Sequence, residues 1–174
     1  MIDDSELLYQ NSPEYLLIKK IYGEGKAERS EVPLINHIHE GCKILHLRKQ
    51  ELWTQRAFCL HPIFQTDDMF ANAGLDYIQY TGADYSVTCA MEYRGIANAY
   101  LVKDVFPKNG IRLSPIPDVN EMLIADKVQN RKDFEKYHLG IHKNSDRLIE
   151  YFNEWLDALG ISEKEYQKYA KELK

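Results

Sequence analysis

The sequence predicts an all-α fold, a bundle of helices around one apolar core. Three observations carry that expectation. Apolar residues recur at three- and four-residue spacing through most of the chain, as on one face of a helix. The segments marked in this way are bracketed by helix start and stop residues. No stretch shows the strict two-residue alternation of a half-buried strand. The 174 residues are expected to form a single domain, 1–174, long enough to bury a substantial core.

The elements follow in order. Ser12-Pro13-Glu14 is a helix start, a cap residue followed by proline at the first helical position. That helix runs through Tyr22 and stops near Gly23 or Gly25, and a polar loop follows to Val32. A second helix runs from Pro33 to about Lys49. Its inward stripe holds Leu34, His37, Ile38, Gly41, Ile44 and Leu45, which turns His37 to the core and His39 to water. A third helix, from Glu51 to about Gln65, is apolar nearly all round and therefore belongs in the middle of the protein. Pro62 lies inside it, where proline costs about 3 kcal/mol and is expected to kink the helix. Thr66 to Gly82 is mixed, with Asp67, Asp68, Asn72, Gly74 and Gly82 marking turns and room for a short helix. A long helix spans Ala83 to Leu101, and Val102 to Pro117 reads as a loop. Asp118 is expected to cap the next helix. An amphipathic helix over Ser145–Leu159 and a capping-box start at Ser162 to Glu165 complete the chain.

Bulk properties narrow the function classes. The net charge of −5 argues against nucleic acid and anionic membrane surfaces as partners. Cys42, Cys59 and Cys89 are odd in number, scattered and without zinc spacing, so they read as reduced thiols. With no apolar signal segment and no run of transmembrane length, the expected location is cytoplasmic.

The chemistry concentrates in Ile124-Ala125-Asp126-Lys127-Val128-Gln129-Asn130. Asp126 and Asn130, four residues apart, share a helix face with Val119, Met122, Leu123 and Phe134. A carboxylate aimed at the apolar side needs a metal, a cation or a donor waiting for it. The other inward-facing polar groups are His37 and His61, on two further helices. Two imidazoles and one carboxylate from three helices match a divalent-metal site of the two-histidine, one-carboxylate kind.

These motifs resemble the HD-domain phosphohydrolases, in the RelA/SpoT-type and small alarmone hydrolase branch. An arginine ahead of a Pro-Tyr-Ile-Asn-His segment is matched by Arg29 and by Pro33-Leu34-Ile35-Asn36-His37. The Leu-His-Asp-x-x-Glu-Asp segment is matched in part by Leu60 to Thr66, and Ala-Asp-Lys-x-x-Asn in full by Ala125 to Asn130. The resemblance covers roughly residues 13 to 160 and implies an HD-domain-like helical bundle. It also implies His37, His61 and Asp126 as ligands of a divalent metal, usually manganese. Arg29 and Asn130 become nucleotide contacts, Lys127 supports the same face, and a small phosphorylated nucleotide is the ligand.

The departures fall on the catalytic positions. Pro62 replaces the aspartate after the second histidine and offers no ligand atom, so manganese or another divalent metal is expected to bind weakly or not at all. Gln65 and Thr66 replace the acidic pair that orients the attacking water, and neither serves as a general base near pH 7. The first reading is therefore a nucleotide-binding pseudo-hydrolase that sequesters or senses a signalling nucleotide. The alternative is a divergent metal-dependent nucleotide phosphohydrolase that uses His37, His61 and Asp126, with Asp67 or Asp68 recruited. The third is a helical protein-interaction module in which the former site is an inert polar network.

Overall fold

A computed structural model describes residues 4–28, 30–81, 84–100 and 110–173. Among these residues the regular structure is helical, and the only β-type pairing is an isolated bridge between Lys26 and Pro33. The all-α expectation therefore holds. A 3-10 segment over Asp4–Asn11 precedes α1 (Pro13–Tyr22), α2 (Ile35–Leu47) and α3 (Leu52–Gln65). Next come α4 (Asp67–Met69), a π-type turn (Phe70–Gly74) and α5 (Leu75–Thr81). The rest of the fold comprises α6 (Tyr85–Asn98), α7 (Pro117–Tyr137), α8 (Ser145–Ala158) and α9 (Glu163–Glu172).

Local signals explain several helix ends. The Ser12 hydroxyl accepts from the Tyr15 amide and caps α1, whose proline-first start wastes no amide donor. Gly23, at φ 48°, closes it, a conformation that costs glycine little. At α9 the Ser162 and Glu165 side chains each accept from the other's backbone amide, completing the capping box.

The hydrophobic surface of α3 puts it at the centre. Ala57 to Leu60, Ile63 and Phe64 are all fully buried, and α3 packs most extensively on α6, then on α1, α2 and α7. Helix α7 is 21 residues long and lies across α2 as well, so the three helices α2, α3 and α7 meet. Glu14, buried at the start of α1, accepts a forked pair of bonds from Arg56 at 2.7 and 3.0 Å, and a third from the Tyr77 hydroxyl at 2.8 Å. One carboxylate thus ties α1 to α3 and α5. The three cysteines are free and buried.

Three expectations need correction. Residues 67–81 are helical throughout, more than turns with one short helix. Thr66 caps α4 through the Met69 amide, and Asp67 and Asp68 occupy the first turn where carboxylates suit the helix dipole. Asp118 is not a cap: α7 starts at Pro117 after Ile116, and the Asp118 carboxylate instead accepts from Thr54 and, at 2.7 Å, from Tyr85. His39 does not face water but is half-buried, with Nε2 2.9 Å from the Tyr15 hydroxyl. Helix α3 runs through Pro62 to Gln65, the end expected for it.

Candidate metal centre

The first turn of α2 presents His37, the last turn of α3 presents His61, and the middle of α7 presents Asp126. Because the three helices cross here, the side chains converge as the sequence predicts. His37 Nε2 and His61 Nε2 are 3.0 Å apart. Asp126 Oδ1 lies 3.6 Å from the first and 3.9 Å from the second. Asp126 and His61 are buried, whereas the His37 side chain keeps 21% exposure at the mouth.

The partners of the other ring nitrogens select the tautomer of each neutral histidine. His61 Nδ1 lies 2.6 Å from the Phe58 carbonyl oxygen, which can only accept, so Nδ1 carries the hydrogen. His37 Nδ1 lies 2.7 Å from Gln129 Oε1. The Gln129 amide is oriented by its other end, because Nε2 donates to Glu40 at 3.2 Å and to Asp133 at 2.7 Å. A carboxylate on each side of that nitrogen leaves only the oxygen to face His37, so His37 also carries its hydrogen on Nδ1. With both rings neutral, two Nε2 lone pairs would point at each other from 3.0 Å, an arrangement that is avoided unless a proton or cation lies between them.

Asp126 is held as a carboxylate. Burial alone would raise its pKa, but the Lys127 ammonium, His37 and His61 outweigh this and keep it well below the usual range. Lys127 Nζ donates to Oδ2 at 2.8 Å and Asn130 Nδ2 to Oδ1 at 2.8 Å. Lys127 is itself buried, and its ammonium lies over the Trp155 and Tyr151 rings at 5.0 and 5.5 Å. Burial alone would lower its pKa, yet Asp126 holds it above the ordinary lysine value. His61 is pushed down to about 3, chiefly by burial and then by His37, and stays neutral as a ligand must.

His37, His61 and Asp126 could thus hold a metal ion, their donor atoms all lying within 4.8 Å of one another. The donor set suits the group. From the three separations, a point in the plane of the atoms lies roughly 2.1 Å from each, within the range of nitrogen and carboxylate bonds to a divalent metal. Each histidine has the outer partner that metal-ligating imidazoles use to fix ring orientation.

A cleft of about 540 Å³ opens over the centre, in the size range of small-molecule sites. Lys127, Asn130, Gln65 and Pro62 line it beside the three ligands, with Tyr22, Phe134, Tyr151 and Phe152 as apolar walls. No family model, curated protein or solved structure matches this chain.

The remaining predicted positions divide. Gln65 reaches the cleft. Thr66 is exposed and caps α4 instead. Arg29 lies outside the described residues. Asp67 and Asp68 are exposed, and neither lines the cleft; Asp67 is paired with Arg94 from α6, which also holds the Phe64 carbonyl. Sequence reasoning missed Gln129 and the Glu40, Lys132 and Asp133 cluster behind it, where Lys132 Nζ donates to Glu40 at 2.6 Å. A signal did exist: Glu40 falls one turn after His37 on the same face of α2, and Gln129 sits inside the Ala-Asp-Lys-x-x-Asn segment.

Proposed function

We propose that the chain is a degenerate HD-domain-like protein that binds a small phosphorylated nucleotide through a divalent metal ion, manganese being the expected one, without hydrolysing it. The observation that carries this reading is the pair of histidine Nε2 atoms, 3.0 Å apart, beside Asp126 at the base of a cleft. The charge of the lining makes the metal necessary for an anionic ligand. Among the described residues of the cleft, Asp126 and Asp133 oppose Lys127 alone, so phosphate meets a net negative wall. A bound dication would reverse that sign and accept phosphate oxygens.

Around it, Asn130 and the Asp126–Lys127 pair define the polar floor, and Tyr22, Phe134, Tyr151 and Phe152 offer apolar surface for a nucleoside. Absence of turnover is expected from the side chains at the water-activating positions. Pro62 carries no polar group, and Gln65 has no basic form near pH 7.

Calorimetric titration with guanosine tetraphosphate, with and without manganese, tests the reading. Binding is expected only in the presence of metal, with the nucleotide recovered intact. Release of pyrophosphate beyond one equivalent would show an enzyme instead. Failure of His37, His61 or Asp126 substitutions to weaken metal uptake would favour an inert polar network.

A further inference from the structure

Pro62 stands in the last turn of α3, directly after His61. Proline has no amide hydrogen, so the carbonyl four residues earlier, that of Phe58, lacks its helical donor, and the ring crowds that carbonyl away from the helix axis. It is this carbonyl that accepts from His61 Nδ1 at 2.6 Å. The site is fully buried, where an unpaired carbonyl would be costly. Proline and histidine are therefore complementary: one frees an acceptor and the other fills it.

His37 is served in the same way from α7. Gln129 accepts its Nδ1 hydrogen and is held in that orientation by Glu40 and Asp133, which Lys132 draws together with contacts of 2.6 and 2.7 Å. In both cases the acceptor fixes the tautomer, and the tautomer decides whether Nε2 has a lone pair to offer.

We propose that Pro62 and Gln129 are positioning residues: each locks its histidine in the Nδ1–H form, so that two bare Nε2 atoms are aimed at one point with Asp126. On this account Pro62, rather than merely removing a ligand, rebuilds the support of the ligand that remains. The inference rests on the metal-binding reading for its consequence, but the tautomers are properties of the metal-free protein and can be measured without it.

Long-range proton–nitrogen NMR on chelator-treated protein at pH 7 reads the tautomer of each histidine. Wild type is expected to show His37 and His61 with hydrogen on Nδ1. In Pro62→Ala the restored amide competes for the Phe58 carbonyl, so His61 should become a mixture with a substantial Nε2–H population. His37 should stay unchanged. Gln129→Met should do the converse, disturbing His37 alone. Zinc affinity should fall about tenfold or more in each variant, the usual effect of removing an outer partner of a ligating histidine. Pro62→Ala should nevertheless unfold at a higher temperature than wild type, because it gains a helical hydrogen bond and loses a clash. A merely structural role for Pro62 would not move stability and zinc affinity in opposite directions. Hydrogen on Nε2 of His61 or His37 in wild type, or an unaltered His61 tautomer in Pro62→Ala, overturns the proposal. Tautomers as expected in a wild-type protein that takes up no zinc would uphold it and sink the metal-binding reading.

Discussion

Gly41 offers a test in which two physical effects predict opposite signs. It lies in the middle of α2, in helical backbone, where alanine is intrinsically better by about 1 kcal/mol. A Cβ placed there would sit 2.1 Å from Phe58 Cε1 and 2.2 Å from Cζ. Ordinary carbon contacts need about 3.5 Å, so the ring would have to retreat by more than 1 Å, roughly. It has nowhere to go, because Phe58 is fully buried, with its ring 4.4 Å from that of His61 and 5.6 Å from that of His37. Overpacking of a rigid core costs about 1–3 kcal/mol, and a clash this deep belongs at the upper end. Subtracting the helix gain leaves a net loss of roughly 2 kcal/mol for Gly41→Ala. Urea denaturation followed by circular dichroism measures it. The same displacement pushes on both imidazoles, so metal affinity should fall as well. Phe58→Leu removes the clashing ring atoms, and in its background Gly41→Ala should cost far less. A Gly41→Ala protein as stable as wild type, or strictly additive effects in the double variant, would refute the argument.

Further perturbations separate the ion pairs from the site. Asp126→Asn should abolish metal uptake and destabilise the protein by about 3–5 kcal/mol, because Lys127 is left as a buried charge without its partner. Asp126→Asn combined with Lys127→Met should recover much of the stability and none of the metal binding, as read by thermal unfolding and metal titration. Glu14 tests the pH dependence. Burial opposes its ionisation, but Arg56 and Tyr77 prevail and hold its pKa below the ordinary carboxylate value. Its contribution should be fully present above that ordinary value and vanish as pH falls through the lower folded one. Glu14→Gln should cost about 2 kcal/mol at pH 7, with the gap to wild type closing at acid pH; a gap that widens on acidification would count against the pairing. Ser12→Ala should cost about 1 kcal/mol through loss of the α1 cap, measurable by denaturant titration.

Much of this molecule is readable from local chemistry. Ser12-Pro13 and Gly23 mark the ends of α1, and the Ser162/Glu165 box marks the start of α9, because a cap depends only on residues within one turn. The nearly all-apolar surface of α3 places it centrally for an equally direct reason. Residues 67–81 are legible only in part, because Asp67, Asp68, Asn72 and Gly74 are turn formers by composition. Thr66 supplies a cap that makes the acidic pair welcome in a first turn, while Gly74 is retained where a Cβ would come within 2.7 Å of the Phe70 ring. Packing overrides propensity there. Asp118 misled for a similar reason: Thr54 and Tyr85 reach it from other helices, and neither is its neighbour in sequence.

Residue order alone was enough for most of the helices, the inward direction of His37, His61 and Asp126, and the absence of acidic side chains at positions 62, 65 and 66. Those are matters of helical period and residue type, which act over a few residues. It took the packed fold to show that the Phe58 carbonyl and Gln129 hold the two imidazoles, that Lys127 turns to Asp126 beneath Trp155, and that Asp67 pairs with Arg94 outside the cleft. A polar side chain takes its partner from whichever helix crosses at its height, and that height is set by how the whole core packs.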